Sequence, residues 1–146
     1  MNEGLSCNEA GLSILRSAEA LRLDAYYCPA GRLTIGWGHT GPDVSEGQVI
    51  TEDEAVRLLD LDVAAAADAV RRFVVVRLND NQFSALVSFT FNLGAGSLRG
   101  STLLRCVNAG DMDAAAAEFP KWCHSQGQIL AGLVTRRDAE QALFLS

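Results

Sequence analysis

Glu19-Ala-Leu-Arg-Leu-Asp-Ala-Tyr-Tyr-Cys28-Pro-Ala-Gly-Arg-Leu-Thr34-Ile-Gly-Trp37-Gly-His39-Thr40 is where the chain changes its periodicity. Before this stretch apolar residues recur at helical spacing. Within it, Leu21, Leu23, Tyr26, Leu33, Ile35 and Trp37 fall in short alternating pieces, split by the turn signal Pro29-Ala30-Gly31. Such runs around a turn predict a small antiparallel sheet. Gly36 and Gly38, inside the last piece, predict a bend or a close backbone approach, as in a sheet whose edge lines a cleft. Cys28 falls in the turn at the mouth of that sheet.

Outward toward the N-terminus, Asn8 can cap a helix in which Leu12, Leu15 and Glu19 stand at i, i+3 and i+7. The carboxylate shares the stripe of core-facing leucines and is expected to be partly buried. A carboxyl among apolar neighbours keeps its proton more readily, which suits a general acid. Toward the C-terminus, Thr51-Glu52-Asp53-Glu54 is a capping box. It opens a helix through Leu58, Leu59, Asp62, Ala66 and Phe73 toward Val76. At ~1.5 Å per residue, a helix of more than about twenty residues spans a small domain and can join a small lobe to a larger one.

Asn79, with Gln82 three residues on, starts the next helix, through Phe83, Leu86, Val87 and Thr90, which ends at Phe91-Asn92-Leu93-Gly94. Ser101 caps a short helix holding Leu103, Leu104 and Val107. Asp111 starts another, through Met112, Ala115 and Phe119. Pro120 and the polar run His124-Ser125-Gln126-Gly127-Gln128 predict a loop before a last helix with Leu133, Arg136, Glu140 and Leu143 on one face.

The 146 residues suit one domain with a real core, and the Ala-rich runs 64–67 and 114–117 favour helix. The fold class expected is α+β and mainly helical. A net charge of −6 argues against nucleic-acid binding. No stretch approaches the ~20 apolar residues of a membrane span, and the polar first twenty residues do not suit a signal peptide. Four scattered cysteines and only two histidines offer no metal-ligand spacing, so a zinc site is not expected.

Glu19, Cys28 and Thr34 at this spacing, followed by Ile35-Gly36-Trp37-Gly38-His39-Thr40, resemble the motif of the phage-type lysozymes (the muramidases of glycoside hydrolase family 24), close to the lambdoid-phage enzymes. The likeness continues through Leu78-Asn79-Asp80-Asn81-Gln82, Phe91-Asn92-Leu93-Gly94, Gly100-Ser101-Thr102-Leu103-Leu104 and the ending from Arg136-Arg137. It implies one lysozyme-like domain over 1–146: a small β-containing lobe at about 20–50, a connecting helix at about 51–76, and a helical lobe from 1–19 and 77–146. It further implies an endolysin that hydrolyses the β-1,4 bond from N-acetylmuramic acid to N-acetylglucosamine in peptidoglycan and so lyses the host cell. The hydrolysis implied by this resemblance calls for no metal or organic cofactor.

In that scheme Glu19 donates the proton to the leaving oxygen. Thr34 holds a water, and Cys28 stands where many relatives have Asp, as base or as nucleophile. The hydroxyl at Thr34 favours the base and an inverted product. Trp37 and Asn92 are substrate-binding candidates. Packing is the competing account for Trp37, and satisfaction of backbone groups for Asn92. His39 is implied to pair with Asp62, and Arg136 to reach Glu19, with Arg137 in reserve. The partners implied are the glycan strand and a phage holin, which would release a monomeric enzyme from the host cytoplasm to the periplasm or wall. A catalytically inactive peptidoglycan-binding module and a lytic transglycosylase are the alternatives; a murein digest distinguishes all three.

Overall fold

Asn8 starts the first helix as expected: its Oδ1 accepts from the Gly11 amide at 3.0 Å, and α1 runs from Glu9–Ala18. Glu19 is the residue at which helix gives way to extended backbone (φ −113, ψ 124), so its side chain leaves the end of α1 beside the sheet. The computed structural model describes every residue from 1 to 146.

Three antiparallel strands follow in the order β1 (Arg22–Tyr27), β2 (Leu33–Gly36), β3 (His39–Thr40). Tyr26 lies opposite Thr34, and Ile35 opposite His39. The β1–β2 turn is closed by Cys28 N–H to the Arg32 carbonyl (2.9 Å) and Gly31 N–H to the Cys28 carbonyl (2.8 Å), with Gly31 at φ +80. This lobe has its own small core of Ile35, Val44, Ile50 and Ala55.

Helix α2 (Glu52–Phe73) begins with the expected capping box at Thr51 and Glu54. Its 22 residues correspond to about 33 Å of helix. It stops short of Val76 because Val74-Val75-Val76 is a β-branched run that resists helix, and because Asn108 takes over the end: its amide donates to the Phe73 carbonyl at 3.0 Å while its Oδ1 accepts from the Val75 amide at 2.9 Å.

The larger lobe is wrapped around α3 (Asp80–Leu93), whose residues from Phe83 to Thr90 are all buried. Around it stand α4 (Ala95–Arg99), α5 (Thr102–Asn108), α6 (Met112–Glu118), a 3-10 turn at Phe119–Lys121 and α7 (Ala131–Leu145). Phe89 and Phe119 meet edge to face at 5.8 Å, and Trp122 does the same against Phe89 at 5.4 Å. The expected loop before α7 is instead a second hairpin, β4 (His124–Ser125) with β5 (Gln128–Ile129). Gln126 and Gly127, both at positive φ (52 and 80), form its two-residue turn.

Candidate active site

Two cavities meet at Glu19. One, of about 500 Å³, lies between the lobes and is lined by Glu19, Cys28, Arg32, Gly38, Thr40, Asp62 and the segment from Thr90 to Ala95. The other, of about 590 Å³, runs between α1 and α7 and shares Glu19 and Asn92 with the first. The acid at the end of α1, the sheet turn and the end of α3 are thereby gathered around the cavity between the lobes.

Glu19 is held from behind. Arg136 Nη1 donates to its Oε1 at 3.3 Å, with the guanidinium almost wholly buried and the carboxylate side chain 27% exposed. The front is set by Gly38, at φ +75 in the turn between β2 and β3. A methyl group on Gly38 would stand 3.0 Å from Glu19 Oε2 and 3.1 Å from its carboxyl carbon. The second glycine of the Ile-Gly-Trp-Gly-His run is therefore required twice, by backbone conformation and by contact with the acid. Gly38→Ala should lower activity about 100-fold, the effect of displacing a reacting group by roughly 1 Å. A rate near that of the unaltered chain would show that the Glu19 position tolerates the push.

Cys28 faces the same space from the β1–β2 turn. The backbone N–H of Arg32 is the main influence holding its thiol below the ordinary value. Burial is the next influence and opposes it, while the Ala30 N–H, the Thr34 hydroxyl and the Arg32 charge each add a smaller downward pull. Cys7, by contrast, is pushed up to about 11 by burial. Near neutral pH, iodoacetamide should alkylate Cys28 well before Cys7, and the rate of inactivation should follow modification of Cys28.

Thr34 is not brought to the cavity wall. It is 3% exposed, and its hydroxyl donates to the Arg32 carbonyl at 3.0 Å. Thr34 and Cys28 flank the same turn, and the Thr34 hydroxyl serves that turn through the Arg32 carbonyl while Cys28 lines the cavity. Trp37 is likewise absent from the cleft wall and packs on the small-lobe core of Ile35, Val44, Ile50 and Ala55. Gly36 (φ +67) turns toward Ala55 and Ile50 of that core, and it is the Gly38 backbone, not the indole, that meets Glu19. Asn92 does line both cavities.

His39 joins the lobes. Its Nδ1 lies 2.8 Å from Asp62 Oδ2 on α2 and its Nε2 3.0 Å from Asp43 Oδ2. Burial lowers the His39 pKa, but the hydrogen bonds and charges of Asp62 and Asp43 together outweigh it, so the net shift is upward. Hydrogen bonding to His39 holds Asp43 below the usual range. A raised histidine contributes stability that is whole below its unfolded pKa of about 6.5 and lost as pH rises through the higher folded value. A depressed aspartate contributes stability present above about 3.9 and lost as pH falls through its folded value. Stability should therefore be greatest between about pH 4 and 6.5. Asp62→Asn should lower Tm near pH 5.5 and leave it little changed at pH 9; an equal loss at both would exclude the charged pair.

Several residues of the site were not legible beforehand. Asp43 and Ser88 look like solvated polar positions in sequence. Glu140 shares a face with Leu133 and Leu143, but nothing in the sequence marks Arg137 as its partner, and both are buried with Arg136. The one available signal was the apolar company of this segment, Leu133, Ala139, Leu143 and Phe144.

A carboxylate at a cleft between a small sheet lobe and a helical lobe, joined by a long helix, defines a lysozyme-like fold. The chain belongs to the phage lysozyme family, whose family model matches residues 16–140. It is 46% identical over 144 residues to the endolysin of Bacillus phage PZA, which covers 97% of this chain and 56% of that protein. With the endolysin of Salmonella phage P22 it shares 41% identity over 140 residues, 93% of this chain and 95% of that one. The chain thus spans about half the length of the Bacillus phage endolysins and nearly all of the P22 one. Among solved structures, the muramidase domain of SpmX from Asticaccaulis excentricus superposes with a TM-score of 0.87 at 39% identity, over 97% of this chain and 98% of that one.

Proposed function

We propose that this chain is an endolysin-type muramidase that hydrolyses the β-1,4 bond from N-acetylmuramic acid to N-acetylglucosamine in peptidoglycan. The observation that carries the reading is Glu19, fixed between Arg136 and Gly38 at the meeting of two cavities, in a chain of the phage lysozyme family. Glycoside hydrolysis needs a proton donor on one side of the bond and a base or nucleophile on the other. Glu19 is the donor. Cys28, its thiol pKa lowered, acts across the cleft as base on a water, with Thr34 supporting the thiol from beneath.

Cys28→Ser should cut the rate at least ~100-fold, the size of an acid–base contribution, and NMR of fresh product should show the inverted anomer. A retained anomer would make Cys28 the nucleophile; an active Ser variant would reduce it to packing. The whole reading is tested by mass spectrometry of digested murein. Reducing ends carrying one added water support hydrolysis, anhydro-muramic ends mean transglycosylation, and intact glycan bound to the protein means a binding module. The reading includes lysis of the host from within, passage to the periplasm or wall with a holin, and action as a monomer, which sedimentation of the purified chain tests. No helix is long and apolar enough to cross a membrane.

A further inference from the structure

Behind the cleft lies a buried polar group that acid–base chemistry does not use. Arg137 and Glu140 on α7 and Ser88 on α3 are all 0% exposed. Glu140 Oε2 accepts from the Ser88 hydroxyl at 2.5 Å and from Arg137 Nη2 at 3.2 Å, and lies 3.7 Å from Arg136 Nε. Arg137 Nε stands 2.7 Å from Glu140 Oε1 as an ion pair, without the alignment of a hydrogen bond. One further bond leaves this group for the cleft: Arg137 Nη2 donates to Asn92 Oδ1 at 2.9 Å.

That bond decides which end of the Asn92 amide the ligand meets. A side-chain amide can be turned either way, but a guanidinium has only donors and no acceptor. The oxygen must therefore face Arg137, and the NH₂ end, which donates to no protein group, is the end left for the two cavities that Asn92 lines. We infer that Arg137, held by Glu140 and Ser88, is a positioning residue that turns Asn92 donor-outward, so that the site selects a sugar substituent that accepts a hydrogen bond. On a glycan of N-acetylated hexosamines the matching group is the acetamido carbonyl. A de-N-acetylated sugar presents an ammonium, and two sets of donors then face each other.

The inference deepens the muramidase reading and rests on it for the kind of ligand, so its test is a binding measurement that does not require turnover. Short murein glycan fragments and the same fragments chemically de-N-acetylated are titrated calorimetrically into the folded chain. The unaltered protein should bind the acetylated fragment at least about 10-fold more tightly, the size of one hydrogen bond made against one left unmade. In Asn92→Asp the Arg137 contact is kept and an acceptor replaces the outward donor, so the preference should fall at least about 5-fold. Arg137→Met, which removes the donor facing the amide oxygen, should weaken the preference too. A structural loss alone would lower Tm and leave the ratio of affinities unchanged. An Asn92→Asp ratio equal to that of the unaltered chain overturns the inference even if murein is cleaved normally. A chain that binds with the expected preference but cleaves nothing overturns the hydrolase reading and not this one.

Discussion

Glu19→Gln should reduce lysis of permeabilised cells by roughly 1000-fold or more, within the range that one positioned proton donor contributes. The amide is the same size and still meets the Gly38 backbone, and its oxygen can still accept from Arg136 Nη1. It cannot release a proton to the leaving oxygen. Tm should fall by only a few degrees, because the lost charge pairing with Arg136 is partly exposed on the Glu19 side. Turbidity and thermal melts on the same preparation separate the two effects. Activity within a few-fold of the unaltered chain would remove Glu19 from the mechanism; a collapse in Tm would mean that the carboxylate is chiefly structural.

What the sequence made legible was local. Caps at Asn8, Thr51, Asn79, Ser101 and Asp111 all hold their expected amide partners, because a capping side chain acts within three residues of itself. The His39–Asp62 and Arg136–Glu19 contacts were expected from the family resemblance alone, since nothing local joins residues 23 and 117 positions apart. The direction of individual side chains was less accessible. Thr34 and Trp37 lie in the right stretch but point to the turn and the small-lobe core, because pleat and positive-φ glycines, not spacing, decide which face a short strand shows. The buried charges on α7 were hidden for the opposite reason. A helix pattern reveals which residues share a face, not whether that face is wet.

Glu140→Leu should be the most destabilising single change outside the apolar core. The carboxylate is fully buried between two arginines, and burial holds it above the usual carboxylate range although both guanidinium charges pull it down. Arg136 would keep Glu19 as a partner. Arg137 would keep only Asn92 Oδ1 and the Trp122 carbonyl, at 2.9 and 3.4 Å, with its charge uncompensated. Removing one member of a buried pair costs about 3–5 kcal/mol, which for a chain of this length lowers Tm by roughly 10 °C. Replacing both members by apolar residues is often close to neutral, so the double variant Arg137→Met with Glu140→Leu should melt above either single variant. Its glycan preference should nevertheless stay lost, since no donor then turns the Asn92 amide. Recovery of Tm without recovery of the preference would separate what the buried pair does for the fold from what it does for the cleft; a double variant that melts at or below the singles would show that packing around Ser88, and not the charge left behind, sets the cost.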